Sequence, residues 1–236
     1  VGYDCMASAQ SRPFSLQSAA QLKKALDRQG ELPTNSNVGT SRCASVLIPV
    51  RFAPSGAEVL LTVRGHQMRA HPGQVALPGG RREPGETEEE CALRECEEEV
   101  GLRRDQVTIV GRIDQILSAA ELLVTPFVGV VSADFVPRLC QVEVAEVFWA
   151  PLEQFMDASR HWQQQLVHKQ GVPFILHYFD VAEHQVWGLT AALILRFLEV
   201  TVDYHPPYPV KLKGQIAWYE AAQLYKPEAH PRSSRL

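Results

Sequence analysis

Residues Gly80–Leu102, GRREPGETEEECALRECEEEVGL, carry nine acidic side chains between Glu83 and Glu99, a third of the 27 in the chain. The formal net charge is only -4, so the acidity is concentrated here rather than spread over the surface. At about 100° of rotation per residue, Glu95, Glu98 and Glu99 share one sector of a helix, while Leu93, Cys96 and Val100 lie on the opposite side as an apolar face. Thr87 and Glu90 have the spacing of a capping box at the helix start, and Gly101 stands where a left-handed residue ends it. Carboxylates packed this densely repel one another unless a cation binds them. Spaced at i, i+3 and i+4, they can share a hard divalent ion that prefers oxygen ligands, such as Mg²⁺ or Mn²⁺. A solvated acidic helix face is the alternative for a generic run of glutamates.

The full spacing speaks against that alternative. Gly80, five residues, Glu86, seven residues, then Arg94-Glu95-Cys96-x-Glu98-Glu99-x-Gly101-Leu102 resembles the Nudix box, with Cys96 and Leu102 in its two apolar slots. The resemblance implies a loop–helix–loop that holds Mg²⁺ or Mn²⁺ and hydrolyses a diphosphate linked to a second moiety. It implies that Glu95, Glu98 and Glu99 are metal ligands, helped by the Gly80 carbonyl, and that Arg94 and Glu86 brace the loop by pairing. The chemistry agrees with those residue types. Metal ions reverse the local sign for an anionic substrate and lower the pKa of bound water. A carboxylate not consumed as a ligand can take that water's proton. Glu95 and Glu98 are candidates for this base, and so are Glu143 and Glu146 downstream, which otherwise read as charges flanking a strand.

The stretch just upstream, Leu60-Leu61-Thr62-Val63-Arg64-Gly65 through Arg69, Gly73 and Leu77-Pro78-Gly79-Gly80, resembles a second signature, that of the coenzyme A diphosphatases. Gly65 departs from it, standing where the signature has Ser or Ala. Later segments, Thr125–Gly129, Glu146–Leu152 and Gly188–Ala191, also resemble the animal members. Arg64, Arg69 and Gly73 are the expected substrate contacts. Guanidinium groups offer fixed, bidentate donors suited to a ligand with a 3′-phosphate as well as a diphosphate. Gly73, Gly79 and Gly80 are expected at close backbone approaches or at positive φ.

The chain's 236 residues, 45% hydrophobic, can bury one sizeable core. No cluster of Lys or Arg points to nucleic acid, and no run approaches the ~18 apolar residues that span a bilayer. No secretory leader is visible at the N-terminus. Five scattered cysteines without a CxxC pair read as reduced thiols in an intracellular compartment, Cys96 among them as a core residue. Residues 1–41 read as a polar region with one amphipathic helix over Ser15–Arg28, 42–200 as a Nudix hydrolase domain, and 201–236 as an extension. Strands are expected at Ala44–Phe52 and Glu58–Arg64 (a hairpin), Val107–Arg112, Leu122–Val131, Val144–Ala150, Phe174–Phe179 and His184–Trp187, with a buried helix over Gly188–Glu199. Strands interleaved with helices give the α/β class, an α/β/α sandwich around a mixed sheet, as the resemblance also implies.

Ser234-Arg235-Leu236 resembles the Ser-Lys-Leu peroxisomal address, which implies an import receptor as partner and the peroxisome as location, with cytoplasm or mitochondrion as alternatives. The expected activity is hydrolysis of coenzyme A, acyl-CoA or oxidised CoA to 3′,5′-ADP and the matching 4′-phosphopantetheine. A Nudix pyrophosphatase for ADP-ribose or another nucleoside diphosphate derivative is the nearest rival. A non-catalytic nucleotide-binding protein of the same fold is a rival of another class. The sequence leaves oligomeric state open.

Overall fold

The computed structural model describes residues 16–34, 42–68, 71–118, 121–167 and 173–212. Arg69 and the terminal Ser234, Arg235 and Leu236 lie outside the described residues. The main sheet has eight strands. They are β1 (Cys43–Ala53), β2 (Gly56–Arg64), β3 (Val75–Ala76), β4 (Gly79–Arg81), β5 (Val107–Arg112), β6 (Ile116–Leu117), β7 (Leu123–Val131) and β8 (Val144–Pro151). Its spine runs β3-β2-β1-β7-β5, with β4 paired to β1, β6 to β7 and β8 to β2. The pairing of β1 with β7 is parallel and the others are antiparallel, so the sheet is mixed.

Alternation along the strands sorts side chains between two layers. Leu47 and Leu60 point to one face, where Phe127, Val131 and Leu102 meet Ala92, Cys96 and Val100 of helix α2 (Glu88–Val100). Ile48, Val50, Val59 and Leu61 point to the other, against α1 (Ala19–Asp27), α3 (Gly188–Val202) and a second sheet. Each of these fully buried aliphatic side chains contributes roughly 1.5–3 kcal/mol. The expected amphipathic N-terminal helix is α1. Ser18 caps it by accepting from the Gln21 N–H at 3.3 Å, and Leu22, Ala25 and Leu26 are buried. The expected all-apolar helix is α3, which runs to Val202, past the expected boundary at residue 200.

The second sheet, β11-β10-β9, has three strands where the sequence marks only two: β9 (His161–Val167), β10 (Pro173–Val181) and β11 (His184–Trp187). Phe179, Val181 and Val186 join the core on its inner face. Strands β3, β4 and β6 also lack a signal in the sequence; each is only two or three residues long and exists through its pairing with a longer neighbour. Among the described residues no helix is long and apolar enough to cross a membrane.

Candidate active site

Helix α2 starts as its sequence dictates. Thr87 accepts from the Glu90 N–H at 3.2 Å while the Glu90 carboxylate accepts from the Thr87 N–H at 2.9 Å, closing the capping box. Glu88, Glu89 and Glu90 occupy the first turn, where the helix dipole favours negative charge. Gly101, at φ 72°, terminates the helix. Cys91, Ala92, Leu93, Cys96 and Val100 bury the apolar side, and Glu99 at the edge of that side is only 5% exposed.

Arg94 organises the outward face. Its Nε and Nη2 donate to the two oxygens of Glu86 at 2.7 and 3.1 Å, a bidentate grip on the preceding loop. Its Nη1 donates to Glu95 and to Glu98, each at 3.0 Å, and Nη2 also reaches the Arg81 carbonyl at 3.2 Å. The Arg94 guanidinium holds the Glu86 carboxyl below the usual carboxylate range. One guanidinium thus serves three carboxylates.

The loop on the other side is held by close contact. Gly79 has φ 153°, and a Cβ there would lie 2.4 Å from the Ser45 carbonyl oxygen and 2.6 Å from the Val46 Cα, both backbone of β1. Its N–H donates to Glu99 at 3.2 Å. At Gly80, opposite Ser45 in the β1–β4 register, a Cβ would meet the Glu95 carboxylate at 2.4 Å. The Gly80 carbonyl itself accepts from the Cys91 thiol at 3.6 Å.

Burial dominates the titration of the two inner acids. It raises the Glu95 pKa above the ordinary value, against the pull of Arg94 and with help from the charges of Glu98 and Glu143. It pushes Glu99 up to about 7; the Gly79 N–H and Arg64 oppose this, and Glu95 and Glu143 add to it. Two inner carboxylates beside carbonyl oxygens, with Glu98 next to them, form an oxygen donor set that suits a hard divalent ion. Glu95, Glu98, Glu99 and the Gly80 carbonyl are the groups that could hold one. They are not gathered on one point, and among the described residues no three His, Cys, Asp or Glu side chains converge as a finished metal cage. Arg94 engages Glu95 and Glu98 together while Glu99 turns to the Gly79 N–H, as mutual repulsion between carboxylates requires.

The two downstream glutamates part company. Glu143 adds its charge to Glu95 and Glu99, and its carbonyl accepts from the Gly65 N–H at 2.7 Å. Glu146, the other expected candidate for base or extra ligand, sits apart from the acidic helix. On β8 it shares a face with Phe148, opposite Val147 and Trp149, which pack on the α2 side. It pairs with His184 at 3.2 Å, and that imidazole stacks on Phe148 at 4.1 Å. Strand alternation turns it away from the acidic helix.

Arg64 ends β2 beside Glu99. Its N–H donates to the Gln74 carbonyl at 2.9 Å and its own carbonyl accepts from the Gly73 N–H at 3.0 Å, closing the loop between them. Its Nε is buried without a hydrogen-bond partner among the described residues. Gly73, at φ 71°, lies against His66. His66 and His71 are exposed on this loop. The departure at Gly65 has a steric reason, since a Cβ there would meet the Val142 carbonyl at 2.7 Å. Two contributors had no signal in the sequence: the Arg81 carbonyl, which receives Arg94, and buried Ser45, whose backbone forms the wall at Gly79. Both act through backbone atoms, which residue type does not report.

A family model described as the NUDIX domain matches residues 41–170, more than half of the chain. The chain belongs to the Nudix family. As a Nudix hydrolase it is 30% identical over 213 residues to the peroxisomal coenzyme A diphosphatase NUDT7 of Mus musculus, covering 85% of this chain and 89% of that one. It is 35% identical over 192 residues to the uncharacterized Nudix hydrolase NudL of Yersinia enterocolitica, covering 80% and 97%. Among solved structures it is similar to a MutT/nudix family protein from Enterococcus faecalis (18% identity, TM-score 0.45, 82% of this chain and 78% of that one). It is also similar to a C. elegans Ap4A hydrolase (25% identity, TM-score 0.42, 47% and 80%).

Proposed function

We propose that this Nudix hydrolase is a divalent-metal-dependent diphosphatase of coenzyme A and its acyl or oxidised forms, releasing 3′,5′-ADP and 4′-phosphopantetheine or its derivative. The observation that carries the reading is Arg64. Arg64 ends β2 with its backbone hydrogen-bonded to Gln74 and Gly73, its guanidinium lies within electrostatic reach of Glu99, and its buried Nε–H has no partner among the described residues. A buried guanidinium N–H with an unmet hydrogen bond suits a phosphate oxygen. Similarity to the mouse coenzyme A diphosphatase over most of both chains supports the same substrate.

Glu95, Glu98, Glu99 and the Gly80 carbonyl would hold Mg²⁺ or Mn²⁺. The ion supplies charge neutralisation of the diphosphate and acidification of a water. Arg94 and Glu86 position the carboxylates. Glu95, Glu98 and Glu143 are the candidates for proton acceptor. Arg64, Gly73 and Arg69 (outside the described residues) form the substrate side. We assign this catalytic unit to residues 42–200, and the terminal Ser234-Arg235-Leu236 to recognition by a peroxisomal import receptor.

Product analysis with Mg²⁺ tests the substrate, with CoA, dephospho-CoA and ADP-ribose offered in parallel to the wild type and Arg64→Ala. The expected outcome is 3′,5′-ADP from CoA, slower cleavage of the other two, and a loss of roughly tenfold or more in kcat/KM for CoA in the variant. Preference for ADP-ribose overturns the substrate and leaves the hydrolase. An Arg64→Ala variant equally impaired on dephospho-CoA removes the arginine as reader of the 3′-phosphate.

A further inference from the structure

Among the described residues the outer strand of the three-stranded sheet has one open edge. Among the described residues β9 pairs only with β10, in unbroken antiparallel register from Val167↔Pro173 to His161↔Phe179. Its other side presents N–H and C=O groups that no described strand pairs, a template for a further strand. Native edges of this kind are blunted by charge, proline, a bulge or a covering element. At the outer edge of the main sheet, β5 has a bulge between Ile109 and Gly111 and is covered by α1. β9, HWQQQLV, has no Lys, Arg, Asp, Glu or Pro and no bulge. His161, its one titratable residue, is held neutral at physiological pH, pushed down to about 4 by burial and by His177. Gln163, Gln164 and Gln165 are exposed, and so are Trp162 (43%) and Val167 (67%).

The side chains on this edge are self-complementary. On the outer face Trp162 stacks on Tyr178 at 3.7 Å and 3°, and Tyr178 on Trp187 at 5.8 Å, an aromatic row across all three strands. That row stops at the exposed Trp162. Two positions from Gln164 on either side stand Trp162 and Leu166, and three positions away stand His161 and Val167. An antiparallel copy centred on Gln164 therefore sets Leu166 of one chain beside Trp162 of the other. It continues the row as Trp187-Tyr178-Trp162-Leu166-Phe174, the last two from the second copy, since Leu166 faces Phe174 across β9 and β10. Two-fold symmetry produces the row twice. His161 meets Val167, and Gln163 meets Gln165.

We infer that β9 is a homodimerisation strand, pairing antiparallel with β9 of a second copy of this chain about a two-fold axis at Gln164, to form a continuous six-stranded sheet. The contact is isologous, as a two-fold interface must be, and adds strand hydrogen bonds to an uncharged edge.

Charge swap at the axis tests it on the full chain. Gln164 faces its own copy in the dimer and solvent in the monomer, so Gln164→Lys or Gln164→Glu leaves the monomer fold unchanged, which circular dichroism verifies. Like charges set directly opposite destabilise a strand pair. Light scattering behind size exclusion should find the wild type dimeric and each variant weakened by about tenfold or more in dimer dissociation constant, whereas an equimolar mixture of the two variants recovers the dimer. A monomeric wild type at tens of micromolar overturns the inference. So do single variants that remain as dimeric as wild type, and so does a mixture that fails to recover, since each places the contact elsewhere.

Discussion

Glu99 is held between two opposed influences, burial that favours the neutral acid and a helix position that aims it at the site. Its pKa in the folded chain is raised from 4.5 to about 7. The unfolded chain therefore loses this proton near pH 4.5 and the folded chain keeps it to about 7. Between those values the native state binds more protons, so stability falls as pH rises through the window, by roughly 3 kcal/mol from this group alone. Denaturant unfolding of metal-free protein at pH 5 and 7.5 should show the fall. Glu99→Gln should remove this component, be more stable than wild type at pH 7.5 without metal, and lose most turnover. Saturating Mg²⁺ should restore wild-type stability at pH 7.5 and leave the variant unmoved. A Glu99→Gln variant that hydrolyses substrate at the wild-type rate would exclude Glu99 as a metal ligand.

Helix α2 was legible because three independent signals coincide: a 3.6-residue apolar face in Leu93, Cys96 and Val100, a capping box at Thr87, and Gly101 at its end. The cap has a measurable worth. Thr87→Ala removes the acceptor for the Glu90 N–H and should cost ~1 kcal/mol, lowering Tm by about 3 °C with little change in kcat. A drop in kcat larger than the drop in stability would mean that the cap aims the acids as well as starting the helix. Strand β9 is hidden in the sequence because Gln163, Gln164 and Gln165 erase the alternation that marks a half-buried strand. β3, β4 and β6 are too short for any period, and tertiary pairing makes them. Glu143 and Glu146 look equivalent three residues apart. The turn before β8 and the strand's alternation separate them, and neither is visible in residue type.

At the scale of the whole chain, the catalytic reading and the address are separable. The structure describes residues up to Leu212, and the proposed receptor-read tripeptide ends the sequence at Leu236. Deleting Leu236 from a fluorescent fusion should move it from punctate organelles to the cytosol while its hydrolytic rate in vitro stays the same. A diffuse intact fusion would refute the address. The α/β/α layering was legible from the order of periodic segments, and the division into two sheets was not, because it depends on where β10 and β11 dock.

The parallel pairing of β1 with β7 sets Ser45 opposite Thr125. Everything between, the acidic helix included, is a loop that this pairing must close. Closing so long a loop comes before its contacts can reward it, and such non-local pairings are slow. The Glu-rich helix rests on Leu47, Leu60 and Phe127, which meet as one surface where β1, β2 and β7 are side by side. In a refolding experiment the alignment of the acids is therefore expected to appear together with the pairing of the sheet, not ahead of it. When the parallel pair opens, competence for chemistry is lost with it.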